Sequence, residues 1–282
     1  MSDDLAVSCT SCGAAKPAAP PAFPNDPLHQ AALSGDSQRL RALVSEGADL
    51  SAVTTVRGWT ALHLAVQSGG EEAVTALLDA GANASAATSD GVTPLHNAAA
   101  GRRVAATKLL LDAGADVDAR NINDETPLHV VALFGNTQIA KLLVDSGADV
   151  SAKDCYGNTP LHIAAAHELL DIIQILLDAG ADMNAVNNNG NPVLHHALSD
   201  SPAGAKFLIQ AGAKTSLRGQ FGATLMHMTT YSEGLFDVLL ARDADLEAVN
   251  DNGATPLCRS GAAGSPAALR SRDWGELVSK VS

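Results

Sequence analysis

The chain is poor in aromatic residues, poor in cysteine and short of positive charge, and each shortage closes off a class of protein. Phe, Trp and Tyr together make up 3 % of 282 residues, so the apolar 46 % is mostly Ala, Leu and Val. A core of such side chains suits small helices packed closely together. There are 31 acidic residues against 18 basic ones, a formal charge of −13. That balance repels phosphate backbones, which are bound by counterion-releasing Lys and Arg, and it excludes general nucleic-acid binding and adsorption to anionic membranes. No run approaches the roughly 18 consecutive apolar residues of a membrane-crossing helix, so no membrane insertion is expected. The opening "MSDDLAVSCTSCGAAK" has Asp3 and Asp4 where a signal peptide needs positive charge and an apolar stretch. Four cysteines in a chain this long make no disulfide framework. These absences lead to the expectation of an intracellular protein of the cytoplasm, with the nucleus left open.

What the chain does have is a period. Thr-Pro-Leu-His occurs at residues 93–96, 126–129 and 159–162, and the histidine position recurs at His29, His63, His96, His129, His162, His195 and His227, then as Cys258. The steps are 34, 33, 33, 33, 33, 32 and 31 residues. A second marker keeps the same phase: Gly47-Ala48-Asp49, Gly81-Ala82-Asn83, Gly114-Ala115-Asp116, Gly147-Ala148-Asp149 and Gly180-Ala181-Asp182, then Gly212-Ala213-Lys214, fading at Asp243-Ala244-Asp245.

Each letter has a physical reason. Thr caps a helix, and Pro at the first helical position gives up only an N–H that was unpaired anyway. Leu begins an apolar face. After a break near Gly135 the pattern predicts a second short helix over Thr137–Asp145, closed where Gly147 can adopt a left-handed cap. The stretch "ADVSAKDCYGN" that follows is rich in turn formers and predicts a hairpin-like connector. Such a helix–turn–helix unit cannot bury its apolar face alone, whereas stacked copies can.

This pattern resembles the ankyrin-repeat family over about residues 25–258. The resemblance implies an all-α ankyrin-repeat solenoid of about seven full helix-turn-helix repeats plus a degenerate C-terminal repeat, with β-hairpin-like fingers. The expected organisation is an Ala/Pro-rich tail carrying a CxxC over 1–24, the repeat domain over 25–258, and a degenerate cap and tail over 259–282. Asp26 replaces Thr as the first cap, and Gln38, Arg39 and Arg41 give the first repeat the polar second helix of an end cap. Ser201-Pro202 falls on a helix–helix turn. After Thr255-Pro256-Leu257 the motif is lost, and residues 273–280, with Trp274, suit a short closing helix.

The histidine series invites a catalytic or metal reading, but helices pack about 8–10 Å apart and zinc holds its ligands at about 2.0–2.3 Å. Neighbouring motif histidines therefore cannot share an ion, and a hydrogen-bonding bridge from Thr to the adjacent loop is the expectation. Cys9-x-x-Cys12 leaves three readings open: an incidental pair of tail thiols, half of a zinc site completed by a partner, and a redox pair. Cys155 and Cys258 are too isolated to complete a zinc ribbon. His167-Glu168-Leu169-Leu170-Asp171 has Asp where a metalloprotease helix needs its second His. Phosphate loops, dinucleotide fingerprints and nucleophile elbows are absent. No enzyme activity and no cofactor are expected.

Ankyrin repeats usually bind proteins through finger tips and the exposed end of the first helix. Carried onto this chain, those positions are Arg57, Trp59, Ile122, Phe134, Tyr156, His167, Phe221, Tyr231 and Asp251. Five of the nine aromatic residues fall on this set, the side-chain class that typically anchors interfaces. The resemblance also points to Asn184 in "LLDAGADMNA" as similar to asparagines hydroxylated in many ankyrin proteins. The expectation is a non-catalytic scaffold or adaptor that binds a protein partner through the concave face and fingers. It would be a monomer on its own or a subunit of a hetero-complex. The alternatives are a structural subunit of a large assembly and a regulatory module with zinc at Cys9 and Cys12.

Overall fold

The structure is a computed structural model that describes residues 26–55, 57–200, 202–228, 235–240, 242, 245 and 247–256. The expectations for the 1–24 tail with Cys9 and Cys12, for Tyr231, and for a closing helix with Trp274 lie outside the described residues. Two compact units are found, Met1–Cys155 and Tyr156–Ser282.

The first unit holds four helix pairs: α1 (Pro27–Ser34) with α2 (Ser37–Ser45), α3 (Ala61–Ser68) with α4 (Glu71–Asp79), α5 (Pro94–Ala100) with α6 (Val104–Asp112), and α7 (Pro127–Phe134) with α8 (Thr137–Asp145). First helices pack in one row, α1 on α3 on α5 on α7, and second helices in another, α2 on α4 on α6 on α8. The second unit holds α9 (Pro160–Ala166), α10 (Leu170–Asp178), α11 (Val193–Asp200), α12 (Pro202–Gln210), α13 (Leu225–Met228) and α14 (Leu235–Leu240), with a 3₁₀ turn at Gln220–Gly222. There α12 packs on α9 as well as on its own partner α11. Gly204 makes this approach feasible, because a Cβ on it would run into the Ala165 carbonyl oxygen.

The helices form where the sequence supplies caps and apolar spacing. Asp26 accepts from the Leu28 N–H at 3.2 Å and Pro27 follows, so α1 starts as expected. Asp36 caps α2 through the Arg39 N–H at 2.9 Å, and Asn136 caps α8 through the Ile139 N–H at 3.0 Å. Glu71 and Glu72 place negative charge in the first turn of α4, where the helix dipole favours it. Helix α6 has neither device. The motif leucines Leu62, Leu95, Leu128 and Leu161 are buried, as are Leu110, Leu143 and Leu176 of the second helices. Truncating a leucine so placed costs about 2–5 kcal/mol.

The turn between the two helices of a pair wants a left-handed residue. Gly35, Gly69 and Gly135 supply it with φ of +72, +80 and +78°. In two other pairs the same turn is carried by Arg102 (φ +56°) and Glu168 (φ +58°), a conformation in which L side chains are strained.

Candidate protein-binding surface

The recurring histidines are architectural. In five copies the backbone N–H of the capping Thr (Thr60, Thr93, Thr126, Thr159, Thr224) donates to the histidine Nδ1 three residues on, at 3.1–3.2 Å. A main-chain N–H can only donate, so Nδ1 must present its lone pair and Nε2 must carry the proton. That Nε2–H donates to a carbonyl in the following finger. His29 reaches Trp59 at 3.1 Å, His63 reaches Val92 at 3.0 Å and His96 reaches Glu125 at 3.0 Å. His162 reaches Asn191 at 3.3 Å, His195 reaches Ala223 at 3.0 Å and His227 reaches Ala254 at 2.9 Å. Desolvation pushes the imidazoles of His63 and His195 down to about 4 and lowers that of His96. Both nitrogens of a typical motif ring are consumed in joining one repeat to the next. His29 departs at Nδ1, which faces the Asp26 carboxylate instead of a threonine.

The fingers that these rings hold are built as tight turns. Thr88 N–H donates to Val92 O at 2.9 Å and Gly91 N–H to Thr88 O at 3.0 Å, with Gly91 left-handed at φ +73°. This is a type I turn closed by a glycine bulge. Asn121, Asn187 and Asn250 seed equivalent turns, each Oδ1 accepting two main-chain N–H groups at 2.9–3.1 Å. Thr88 Oγ1 accepts in the same way at 3.0–3.3 Å. These finger-seeding residues are not among the expected site positions, although an Asx or Thr three residues before a left-handed turn residue (Gly91, Gly190 and Gly253, but Asp124 in the Asn121 finger) was the signal available.

Neighbouring fingers are linked by single main-chain rungs. In the first unit Ser89 N–H donates to Arg57 O at 3.2 Å, Ile122 to Asp90 at 2.9 Å and Cys155 to Asn123 at 2.8 Å. In the second, Asn188 donates to Tyr156 at 2.8 Å and Asp251 to Phe221 at 3.0 Å. Between the Asn187 and Gly219 fingers the link is different: Asn191 Oδ1 accepts from Gln220 N–H at 2.8 Å. Two arginines reinforce the ladder. Arg120 Nη1 reaches Asp124 O at 3.3 Å and Lys153 O at 2.8 Å, and Arg218 Nη1 reaches Gly222 O at 3.0 Å and Val249 O at 2.7 Å.

The expected contact positions separate into exposed and built-in side chains. Ile122 and Phe221 stand out at finger tips, 69 % and 65 % exposed. Phe221 does so in a left-handed conformation, φ 58° and ψ 29°. His167, at the end of α9, and Asp251 are exposed, and Arg57, Phe134 and Tyr156 are half-buried. Trp59 is also half-buried. Its ring stacks on His63 at 6.2 Å, its carbonyl accepts from His29 and its N–H donates to Thr54 Oγ1 at 3.0 Å, so it is part of the scaffold as well. In the first unit the rungs string the fingers of Arg57, Asp90, Ile122 and Cys155 in order. In the second they join Tyr156 to the next finger, and Phe221 to Asp251. Asn184 is engaged: its Oδ1 accepts from Lys214 N–H at 2.9 Å.

A stack of short helix pairs whose copies are joined by capping histidines and turn-tipped fingers defines a helical repeat protein. Family models described as Ankyrin repeats (3 copies) match residues 28–121 and 108–187, and one described as Ankyrin repeats (many copies) matches 168–209. The chain belongs to the ankyrin-repeat family. It is similar to the crystal structure of the human ASB11 ankyrin repeat domain, with a TM-score of 0.68 and 25 % identity, over 78 % of this chain and 99 % of that one. No curated protein matches it. Ankyrin repeats are in general protein–protein interaction modules and typically non-catalytic. Among the described residues no helix is long and apolar enough to cross a membrane.

Proposed function

We propose that the chain is a non-catalytic intracellular adaptor that captures a partner protein through its concave face and finger loops. The repeat domain would run over 25–258, between a tail at 1–24 and a cap at 259–282. The observation that carries this reading is Phe221. A bulky side chain in the left-handed region costs on the order of 1–3 kcal/mol, and such strain concentrates where a residue contacts a ligand. Here the strained residue is an aromatic side chain 65 % exposed at a finger tip, in a chain with nine aromatic residues in all. Ile122 repeats the arrangement without the strain. Recognition would proceed by rigid display: the rungs and the histidine bridges order the fingers during folding, so little conformational freedom is left to lose on binding.

The test is affinity capture with wild type and with an Ile122→Ala/Tyr156→Ala/Phe221→Ala variant. Partners should be lost selectively from the variant while its melting temperature stays within a few degrees. Capture of the same partners at the same yield would remove the finger surface from consideration.

A further inference from the structure

We propose that the groove across second helices α4, α6 and α8 docks a carboxylate-rich, extended segment of a protein partner. This is a binding surface separate from the fingers, and it does not depend on the reading above. The groove is rimmed by Arg102, Arg103, Lys108 and Lys141, and its floor is formed by Val104, Ala105 and Leu142. Two carboxylates, Glu71 and Asp145, also line it, so four cations face two anions in a chain whose formal charge is −13.

These cations are not neutralised from within. Lys108 and Lys141 are exposed, and among the described residues no carboxylate comes within ion-pair distance of either. Each arginine spends one donor on a main-chain oxygen. Arg102 Nη2 donates to Phe134 O at 2.5 Å and Arg103 Nη2 to Gln67 O at 2.9 Å. A guanidinium has five N–H donors in a fixed fork, so each keeps donors for a carboxylate while its position is fixed by the helix end it caps. Gly69 lets Arg103 lie there, since a Cβ would come 2.7 Å from its Nη1. The first turn of α6 adds to the same field. Its N–H groups at Val104, Ala105 and Ala106 precede the first intrahelical bond, and Arg103 at the cap position offers them no side-chain acceptor.

Charge complementarity selects the occupant. Elsewhere the acidic surface repels a poly-anion, but at physiological salt that repulsion is screened beyond about 8 Å. Only a local concentration of cations can hold carboxylates, and the half-buried apolar floor favours a peptide over a small anion.

The experiment is fluorescence anisotropy of labelled octaglutamate with the full chain at about 0.15 M salt, with inorganic phosphate as competitor. Saturable binding is expected, weakened at least about tenfold by Lys108→Glu/Lys141→Glu. The exposed pair Arg39→Glu/Lys214→Glu should change it less than about twofold. Thermal unfolding by circular dichroism establishes that each variant is folded, and Lys108→Ala/Lys141→Ala replaces the reversal if that fails. Absence of saturable binding, or equal affinity for the groove variants, would overturn the proposal. So would displacement of the peptide by low millimolar phosphate, which would reassign the groove to small anions.

Discussion

Pro192 stands where a threonine would meet His195, and Nδ1 of that ring is buried without a hydrogen-bond partner. Every other motif histidine has a Thr N–H or the Asp26 carboxylate there. The ring is 1 % exposed, so the loss is not recovered from solvent.

Pro192→Thr should therefore stabilise the protein. It restores an N–H donor to a buried acceptor, a gain of about 1–3 kcal/mol, less the few tenths to about 1 kcal/mol that proline contributes by restricting the unfolded chain. The urea midpoint should rise. A midpoint equal to or below wild type would mean that the orphaned nitrogen is not a weak point.

Acid should loosen the stack before carboxylates are protonated. The folded-state values of His63 and His195 are depressed from 6.5 to about 4 by burial, so the unfolded chain binds protons that the folded chain does not. Stability from these groups is fully present above pH about 6.5 and is lost as pH falls toward 4. Each ring gives up at most roughly 3 kcal/mol over the whole window. Denaturant midpoints at pH 7.5 and 5.5 should differ clearly, and a flat profile would contradict the buried neutral tautomer.

Arg102 and Arg103 tie α5 to the ends of its two neighbours, one reaching forward to Phe134 O and the other back to Gln67 O. Cations at helix C-termini stabilise by about 0.3–1 kcal/mol, more when they also donate a hydrogen bond. Arg103→Ala should lower the unfolding midpoint. Arg102→Ala should lower it further than Arg102→Gly, because Ala keeps the left-handed strain at φ +56° while losing the contact. The reverse order between Ala and Gly would show that the backbone there is relaxed.

Phe221→Gly should separate stability from recognition. Glycine releases the left-handed strain, so unfolding should become harder by on the order of 1 kcal/mol, while capture of a partner weakens. A variant that is less stable than wild type would show that the phenyl ring packs favourably at the finger tip.

Much of the fold is legible in the chain because the interactions that write it are local. Asp26, Pro27 and the Thr-Pro-Leu-His copies mark helix starts within a turn of the helix they start. The second helix predicted over Thr137–Asp145 is found with those bounds. The expected bridge from Thr through His to the next loop is present because the ring spans a distance that repeat spacing already fixes. The candidate contact surface is less legible. Trp59 has the composition of a hot spot, but its stacking on His63 and its hydrogen bonds give it a scaffold role that position along the motif does not reveal. Arg102 and Glu168 occupy turns where the pattern asks for glycine, and the compensating contacts of Arg102 come from another repeat.

The sequence by itself determined the period, the pairing of short helices and the identity of the bridging side chain, since each depends on residues within about one helical turn or on one constant spacing. Tertiary structure alone decided which finger carbonyl each imidazole meets and which arginine reaches which helix end. Those outcomes depend on atoms some 30 residues away meeting within 3 Å or so. A repeat pattern brings such segments together but does not specify the side-chain directions that complete the contact.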